Sequence, residues 1–315
     1  MSATAKVTIG VPVYNGANYL PELLASIARQ TCQDYRVVIS DNASTDATPE
    51  IARRAAAADP RISYHRNRIN IGGNCNFDRV FGYCDTPYFV WLGHDDQIAP
   101  EFLETCLAPL EADPGLVQSG CRTQYIDGQG NAISLNARTG FYEAPFLVTP
   151  HPVEREHLAG SDDPVARFMD FFPDYSRSHV FALMRADAVR ATTLMGPRFN
   201  GPTNFLCELA LRGRFTMSER PLLLRRFHEE CSEALPMAER VRYVAGGERR
   251  VQRRFLESTR SFLEGILRTE TLSYWQKARL VALVLSHAIR SGGEEALQRA
   301  RRAIGERARL LLRTG

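Results

Sequence analysis

Hydrophobic positions in the first hundred residues alternate between two regular patterns. Val7–Val13 is a run of mostly β-branched and apolar residues, which predicts a strand buried on both faces. After Tyr19, apolar residues recur at helical spacing, which predicts an amphipathic helix. The alternation continues with predicted strands at 36–40, 62–64 and 88–92 and predicted helices at 48–58 and around 77–81. Repeated strand–helix units predict an α/β fold with a doubly wound, mostly parallel sheet flanked by helices.

The pattern after residue 115 is less regular. Residues 116–125 predict another strand, followed by a hairpin-type turn at 126–131. Residues 132–165 are irregular and proline-containing, which is typical of loops that carry specificity. Four aromatic residues near helical spacing follow, and they indicate core packing more strongly than stacking on an acceptor sugar: Phe168, Phe171, Phe172 and Tyr175.

Polar side chains stand at the ends of three predicted strands. Tyr14 and Asn15 follow the first strand, Asp41 ends the second, and Asp95 and Asp96 follow the fourth. Ligands of open α/β sheets bind at the carboxyl ends of the strands. Adjacent carboxylates repel each other unless a cation lies beside them, and oxygen ligands favour Mg²⁺ or Mn²⁺. This edge of the sheet is thus predicted to bind a nucleoside diphosphate with a divalent metal.

Other classes of protein are disfavoured by what the sequence contains. Neither G-x-G-x-x-G nor G-x-x-x-x-G-K-[ST] is present, which disfavours dinucleotide and P-loop binding. The seven cysteines are scattered and odd in number, as in a cytoplasmic protein with reduced thiols. The first residues show no secretory pattern, and the apolar run at 280–285 is too short to cross a bilayer.

Three segments resemble motifs of family 2 glycosyltransferases, which have the GT-A fold. They are TIGVPVYN at 8–15, DNASTDAT at 41–48 and WLGHDD at 91–96. They are similar in order and spacing to that family's V-x-x-P-x-Y-N, D-x-S-x-D-x-T and D-D motifs. The resemblance covers about residues 5–232. It implies a GT-A domain with a nucleotide-sugar-binding half at 1–125 and an acceptor-binding half at 126–232, followed by a basic helical region at 233–315.

The resemblance also implies roles for individual residues on the donor side. Asp41 would contact the nucleotide base, in a pocket lined by Pro12 and Tyr14 with Asn70 beside them. Asp95 would approach the ribose or the sugar. Asp96 would hold the metal. One position departs from the pattern, because Gly93 stands where many members have an aspartate.

On the acceptor side, the resemblance implies that Glu208 is the catalytic base, because an acidic residue in a helix before a glycine–aromatic turn matches that position of the family, where many members have Asp. Glu208 lies among apolar residues of a predicted helix at 204–213, where desolvation would raise the pKa of a carboxylate. A salt bridge to Arg212, four residues later, is the alternative. Asp174 is a reserve candidate. The strand that ends at His228 resembles the family's R-x-H element, which implies that this histidine reaches the metal or the diphosphate. Arg225 or Arg226 would neutralise phosphate, although strand side chains alternate and only one can face the site.

These expectations combine into one function. The chain would be a metal-dependent inverting glycosyltransferase that uses Mn²⁺ or Mg²⁺ and moves a sugar from a nucleoside-diphosphate sugar to a glycan or lipid-linked acceptor. One alternative is a sugar-nucleotide pyrophosphorylase, which would need a glycine-rich basic loop after the first strand, and Pro12–Gly16 has none. Another is a non-catalytic sugar-nucleotide-binding or scaffold module, which the departure at Gly93 favours.

The tail differs from the rest of the chain in charge. Residues 239–315 contain 17 basic and 8 acidic residues, a balance of +9, so residues 1–238 carry −6 against a total of +3. Residues 299–312 form a basic amphipathic segment. Two interpretations stay open: helices that pack on the catalytic body, and peripheral contact with the inner face of a membrane. Nucleic acid is not expected as a partner, because the basic residues match no nucleic-acid-binding motif.

Overall fold

The structure, a computed structural model, describes residues 5–139, 141–142, 151–152, 160–172, 178–198, 200–232, 234–245 and 254–290. The strands are β1 Val7–Val13, β2 Tyr35–Asp41, β3 Ile62–Arg66, β4 Tyr88–Trp91, β5 Gln97–Ile98, β6 Leu116–Ile126, β7 Leu135–Asn136, β8 Phe141–Tyr142, β9 His151–Pro152, β10 Leu183–Arg185 and β11 Arg214–Arg226. The helices are α1 Leu20–Ala28, α2 Thr48–Ala58, α3 Gly73–Phe81, α4 Phe102–Ala112, α5 Pro164–Phe171, α6 Ala186–Arg190, α7 Gly201–Ala210, α8 Met237–Ala245 and α9 Arg254–Arg268, with a further helix over 274–290.

Eight of these strands form one sheet in the order β3-β2-β1-β4-β10-β6-β11-β5. Four of its seven strand pairings are parallel. Because β10 is antiparallel to both β4 and β6, β6 runs in the same direction as β4, and β11 is parallel to β6. The carboxyl ends of β1, β2, β4 and β11 consequently lie along the same edge. The expected α/β fold with a mostly parallel sheet and C-terminal helices is confirmed.

The sheet is held by the apolar runs that predicted it. Every residue of β1 and β4 is buried, which fits central strands covered on both faces. Helix α1 buries Leu20, Leu23 and Ile27 against this core. Helix α9 buries Ile266 in the same core and contacts α7, so this helix of the C-terminal region packs on the sheet domain.

Most of the local predictions for the second half of the chain hold as well. Phe168, Phe171 and Phe172 are buried, so the packing interpretation is confirmed for these three. The turn after β6 is closed by a hydrogen bond from the Asp127 amide to the Asn131 carbonyl. Asp174, Tyr175 and residues 299–312 lie outside the described residues. None of the described helices is both long and apolar enough to cross a membrane.

Candidate active site

A cavity of about 410 Å³ opens at the carboxyl edge of the sheet. Its lining includes Pro12 and Tyr14 at the end of β1, Asp95 and Asp96 after β4, and His228 after β11. These five residues were all predicted as site residues, and the parallel direction of the three strands brings them together. The volume lies in the usual range for a small-molecule site.

The loops at this edge are locked to each other by side chains of polar residues. Asn15 has a left-handed backbone conformation with φ of 51°, which asparagine tolerates better than most residues. Its side-chain oxygen accepts a hydrogen bond from the Thr45 amide (2.8 Å), and its own amide donates to the Ser44 hydroxyl (2.9 Å). The loops after β1 and β2 therefore keep a fixed relative position.

The two acidic residues after β4 direct one oxygen each to the same place. A Cβ atom on Gly93 would lie 2.7 Å from Asp96 Oδ2 and 2.8 Å from Asp95 Oδ1. These oxygens are therefore no more than 5.5 Å apart, the sum of the two distances. The absence of a side chain at residue 93 is what gives both carboxylates room to converge.

The other oxygen of each carboxylate is bound by groups from β11 and the residues that follow it. Asp96 Oδ1 accepts a hydrogen bond from the Arg226 amide (3.0 Å). Asp95 Oδ2 lies 3.2 Å from His228 Nε2. Burial alone would raise the pKa of Asp95, but the nearby charge of His94 and the interaction with His228 outweigh it and bring the pKa down to about 2. Asp95 is consequently ionised at neutral pH.

Arg226 is the residue that organises this arrangement. Its guanidinium group is fully enclosed and donates to the Asp95 carbonyl (2.9 Å) and to Glu22 Oε2 (2.6 Å). It also donates to the carbonyls of Asp127 (3.2 Å) and Gly128 (3.0 Å). Four bonds of its guanidinium group are thus made to protein groups. Arg225 lines the cavity as well, so the alternation of strand side chains does not keep either arginine away from it.

The donor set at this position fits a hard divalent cation. Mg²⁺ is usually held by one or two carboxylates together with waters and substrate phosphates, and Asp95 and Asp96 offer two converging oxygens above Gly93. No cluster of three or more histidine, cysteine or acidic ligands occurs among the described residues. A cation here would therefore be held by this pair together with oxygens of the substrate. His228 approaches the pair through Asp95.

Two predicted donor-site residues do not line the cavity. Asp41 is fully buried, and its carboxylate accepts hydrogen bonds from the Ser44 amide (2.8 Å), the Tyr64 hydroxyl (2.7 Å) and Arg66 (2.9 Å). Asn70 accepts hydrogen bonds from Asn42 and from the Gly72 amide, both 2.9 Å long. In this arrangement both side chains stabilise loops beside the site.

Glu208, the predicted base, is also absent from the lining of the cavity. Burial raises its pKa, as the sequence predicted. However, its carboxylate accepts hydrogen bonds from the amide (2.8 Å) and the hydroxyl of Thr193, and its side chain packs on Gly265 of α9. Arg212 donates to the main-chain carbonyl of Glu208 (2.6 Å). The side chain is therefore held by Thr193 and α9, and its role as the base stays a prediction.

One wall of the cavity was not predicted from the sequence. It is formed by Glu230 in the turn after His228 and by side chains of α8, including Arg240 and Tyr243. The ring of Tyr243 lies 3.3 Å from where a Cβ on Gly73 would be, at the start of α3. The basic charge of the tail predicts a surface that faces outwards, and no local pattern in 233–245 indicates that one face of α8 meets the site.

Comparison with known families gives this geometry a context. The model of the family described as "Glycosyl transferase family 2" matches residues 8–191, which is more than half of the chain. The chain belongs to glycosyl transferase family 2. The resemblance noted in the sequence is thereby confirmed, and residues 8–191 include the loops that carry Asp41, Asp95 and Asp96.

Two of the curated relatives are much longer proteins. Chondroitin synthase from Escherichia coli is 32% identical over 137 residues, which cover 42% of this chain and 20% of that protein. Glycosyltransferase GlyA from Streptococcus pneumoniae serotype 4 is 34% identical over 103 residues, which cover 32% of this chain and 14% of that protein. The chain thus spans a fifth or less of the length of these relatives.

Solved structures share the fold over most of the chain. S. aureus TarS 1-349 in complex with UDP-GlcNAc matches with a TM-score of 0.59 and 17% identity, over 89% of this chain and 71% of that one. Mannosyltransferase PcManGT from Pyrobaculum calidifontis in complex with GDP-Man and Mn²⁺ matches with a TM-score of 0.50 and 14% identity, over 91% and 81%. At these identities the likeness shows the fold alone.

Proposed function

We propose that this family 2 glycosyltransferase moves a sugar from a nucleoside-diphosphate sugar to a hydroxyl of a glycan or lipid-linked saccharide, with inversion at the anomeric carbon. The observation that carries the proposal is the convergence of Asp95 Oδ1 and Asp96 Oδ2 above Gly93 in the lining of the cavity. Two carboxylate oxygens in one small space favour a substrate that arrives with a divalent cation.

Donor binding follows from the elements that meet at this edge. Pro12 and Tyr14 line the cavity at the end of β1, where a nucleotide base would rest. The contact expected between Asp41 and the base stays a prediction. It would require Arg66 to move, because both carboxylate oxygens of Asp41 are already engaged. The side chain of Arg66 is 38% exposed, so its guanidinium group can form hydrogen bonds with water once it has left Asp41.

Asp96, with His228 acting on Asp95, would hold a Mg²⁺ or Mn²⁺ ion beside the diphosphate. When bound, such a cation offsets the negative charge on the departing nucleoside diphosphate. The enclosed Arg226 keeps Asp95 and Asp96 in position through the Asp95 carbonyl and its own amide. Arg225 adds positive charge to the same cavity.

The reaction also requires a proton acceptor that faces the acceptor hydroxyl. Among the described residues that line the cavity, the acidic ones are Asp95, Asp96 and Glu230. Glu230 lies in a turn closed by a hydrogen bond from the Cys231 amide to the His228 carbonyl (3.1 Å). In the proposed step the acceptor oxygen bonds to the anomeric carbon and its proton passes to Glu230. The bond from that carbon to the phosphate oxygen breaks, and its electrons leave with the diphosphate.

Ligand-dependent thermal stability tests the proposal. UDP, GDP and dTDP would each be added with and without Mn²⁺, because a ligand that binds the folded state raises the melting temperature by mass action. We expect at least one diphosphate to stabilise the protein only when the metal is present. The matching nucleotide sugar and an acceptor should then yield a product of inverted anomeric configuration by NMR. Absence of stabilisation by all three diphosphates would rule the proposal out.

Cytoplasmic placement and a role in polysaccharide or surface-glycan synthesis stay predictions. The expected membrane contact concerns a different surface of the molecule, on the C-terminal helices.

A further inference from the structure

The C-terminal helix over 274–290 is apolar on two opposite faces. One face buries Leu280 and Val284 in the core. The other face is exposed and consists of Trp275, Ala278, Ala282, Leu285 and Ile289, here called the outer stripe. Their spacing of three and four residues places them on one side of a helix with 3.6 residues per turn. A surface helix needs only one apolar face to pack on its domain, so the second face requires another explanation.

The outer stripe is unusual for the surface of this protein. Nine large hydrophobic side chains are exposed among the described residues, and five of them lie between residues 267 and 289. Trp275 is 79% exposed and Ile289 is 76% exposed. Contiguous exposed apolar surface of this kind marks sites of interaction, whereas single exposed apolar residues do not.

The charge around the outer stripe indicates what it contacts. Residues 274–290 contain Lys277, Arg279 and Arg290 and no acidic residue. At about 100° per residue, Arg279 and Arg290 both lie along the same border of the stripe. Tyr274, 76% exposed, packs against Trp275 with ring centres 5.5 Å apart at one end of it. Tryptophan and tyrosine are enriched where a membrane meets water, and basic residues beside an apolar face are typical of helices that lie in that interface.

We propose that the outer stripe of helix 274–290 docks on an anionic lipid surface, with Trp275 and Ile289 entering the interface and Arg279 and Arg290 facing the headgroups. A lipid layer offers negative charge directly over an apolar interior, which complements both features at once. A second copy of the chain would bring like charges together along the arginine border, so it is the less favoured occupant. This docking concerns a surface remote in sequence from the site residues and does not depend on the proposed glycosyl transfer.

Vesicle co-sedimentation of the full chain tests the proposal. We expect the protein to pellet with phosphatidylcholine–phosphatidylglycerol vesicles at low salt, and much less with phosphatidylcholine alone or at high salt. Trp275→Ser/Ile289→Ser should weaken binding about a hundredfold, because two large apolar side chains no longer leave water. Arg279→Glu/Arg290→Glu should weaken it on anionic vesicles only. Ile69→Ser, which replaces another exposed apolar side chain (69% exposed), is the matched control and should bind as the unaltered protein does.

Fluorescence gives an independent measure of the same event. The chain has two tryptophans, and Trp91 is fully buried. A blue shift on adding anionic vesicles should therefore come from Trp275 and be absent in Trp275→Ser/Ile289→Ser.

Three results would overturn the proposal. The first is failure of the full chain to pellet with anionic vesicles at low salt. The second is unchanged pelleting of the double serine variant. The third is evidence that protein covers the stripe. This would be a dimer of the unaltered protein in light scattering that the double serine variant does not form, or a clear loss of thermal stability in that variant.

Discussion

Gly93→Ala offers the sharpest test of the acidic pair. The new Cβ atom would lie 2.7 Å from Asp96 Oδ2 and 2.8 Å from Asp95 Oδ1, whereas ordinary contacts begin near 3.4 Å. Each carboxylate would have to retreat by about 0.6 Å, while metal–oxygen distances tolerate only about 0.2 Å. We expect the affinity for Mn²⁺ with a nucleoside diphosphate to fall about tenfold to a hundredfold.

The metal-free protein should respond differently to the same change. The backbone of Gly93 is outside the left-handed region, so alanine is sterically allowed there, and replacing glycine stabilises a fold by about 0.4–1 kcal/mol through the unfolded chain. A tenfold weaker ligand removes about 1.4 kcal/mol of stabilisation at a fixed ligand concentration. That corresponds to a melting temperature about 3 °C lower with ligand, against little change without it.

Thermal denaturation with and without Mn²⁺ and the diphosphate measures both effects, and calorimetry gives the affinity directly. Gly160→Ala is the control, because its new Cβ would meet nothing closer than the Phe215 carbonyl at 3.6 Å. If Gly93→Ala binds the metal–nucleotide pair as tightly as the unaltered protein, the two carboxylates are not its ligands.

Three further predictions follow from buried or lining groups. Glu230→Gln should lower turnover about a hundredfold without changing the affinity for the donor. Glu208→Gln should leave turnover within a few-fold, and Glu208→Ala should cost about 1–3 kcal/mol of stability in urea unfolding. The reverse pattern of turnover would return the role of base to Glu208. Burial raises the pKa of Asp78 to about 6 despite hydrogen bonds from the Met195 and Gly196 amides, so its contribution to stability is full below about pH 3.8 and is lost as the pH rises through about 6. Relative to Asp78→Asn, the unaltered protein should lose about 3 kcal/mol between pH 3 and pH 7.5. Parallel pH profiles of urea unfolding would contradict this. Arg226→Lys should weaken Mn²⁺–diphosphate binding more than tenfold, because an ammonium group cannot make the several directed bonds of the guanidinium; calorimetry showing equal affinity would refute it.

Local signals explain why much of the fold was predictable. The apolar run of β1 and the proline-started helix α2 were predicted with the bounds that the structure has, because each depends on neighbouring residues. The meeting of Tyr14 with Asp95 and Asp96 followed from a topological rule, that parallel strands present their carboxyl ends at one edge. His228 was placed there by the resemblance to the family's R-x-H element.

Features that depend on distant packing were not predictable in this way. The raised pKa of Glu208 could be inferred from its apolar neighbours. The direction in which its side chain points is decided by Thr193 and by Gly265 on α9. The same holds for α8. Its Tyr243 lies against the start of α3, a contact between segments that share no sequence pattern.

The reach of Arg226 along the chain has a consequence for how the protein is synthesised. This one side chain joins Glu22, 204 residues earlier, to the Asp95 carbonyl, 131 residues earlier. A nascent polypeptide can form the first four strands, yet its acidic loop lacks these bonds until β11 has left the ribosome. Under the proposed function, a half-made chain should therefore bind Mn²⁺ weakly, and full affinity for the ion should appear only once β11 has joined the sheet.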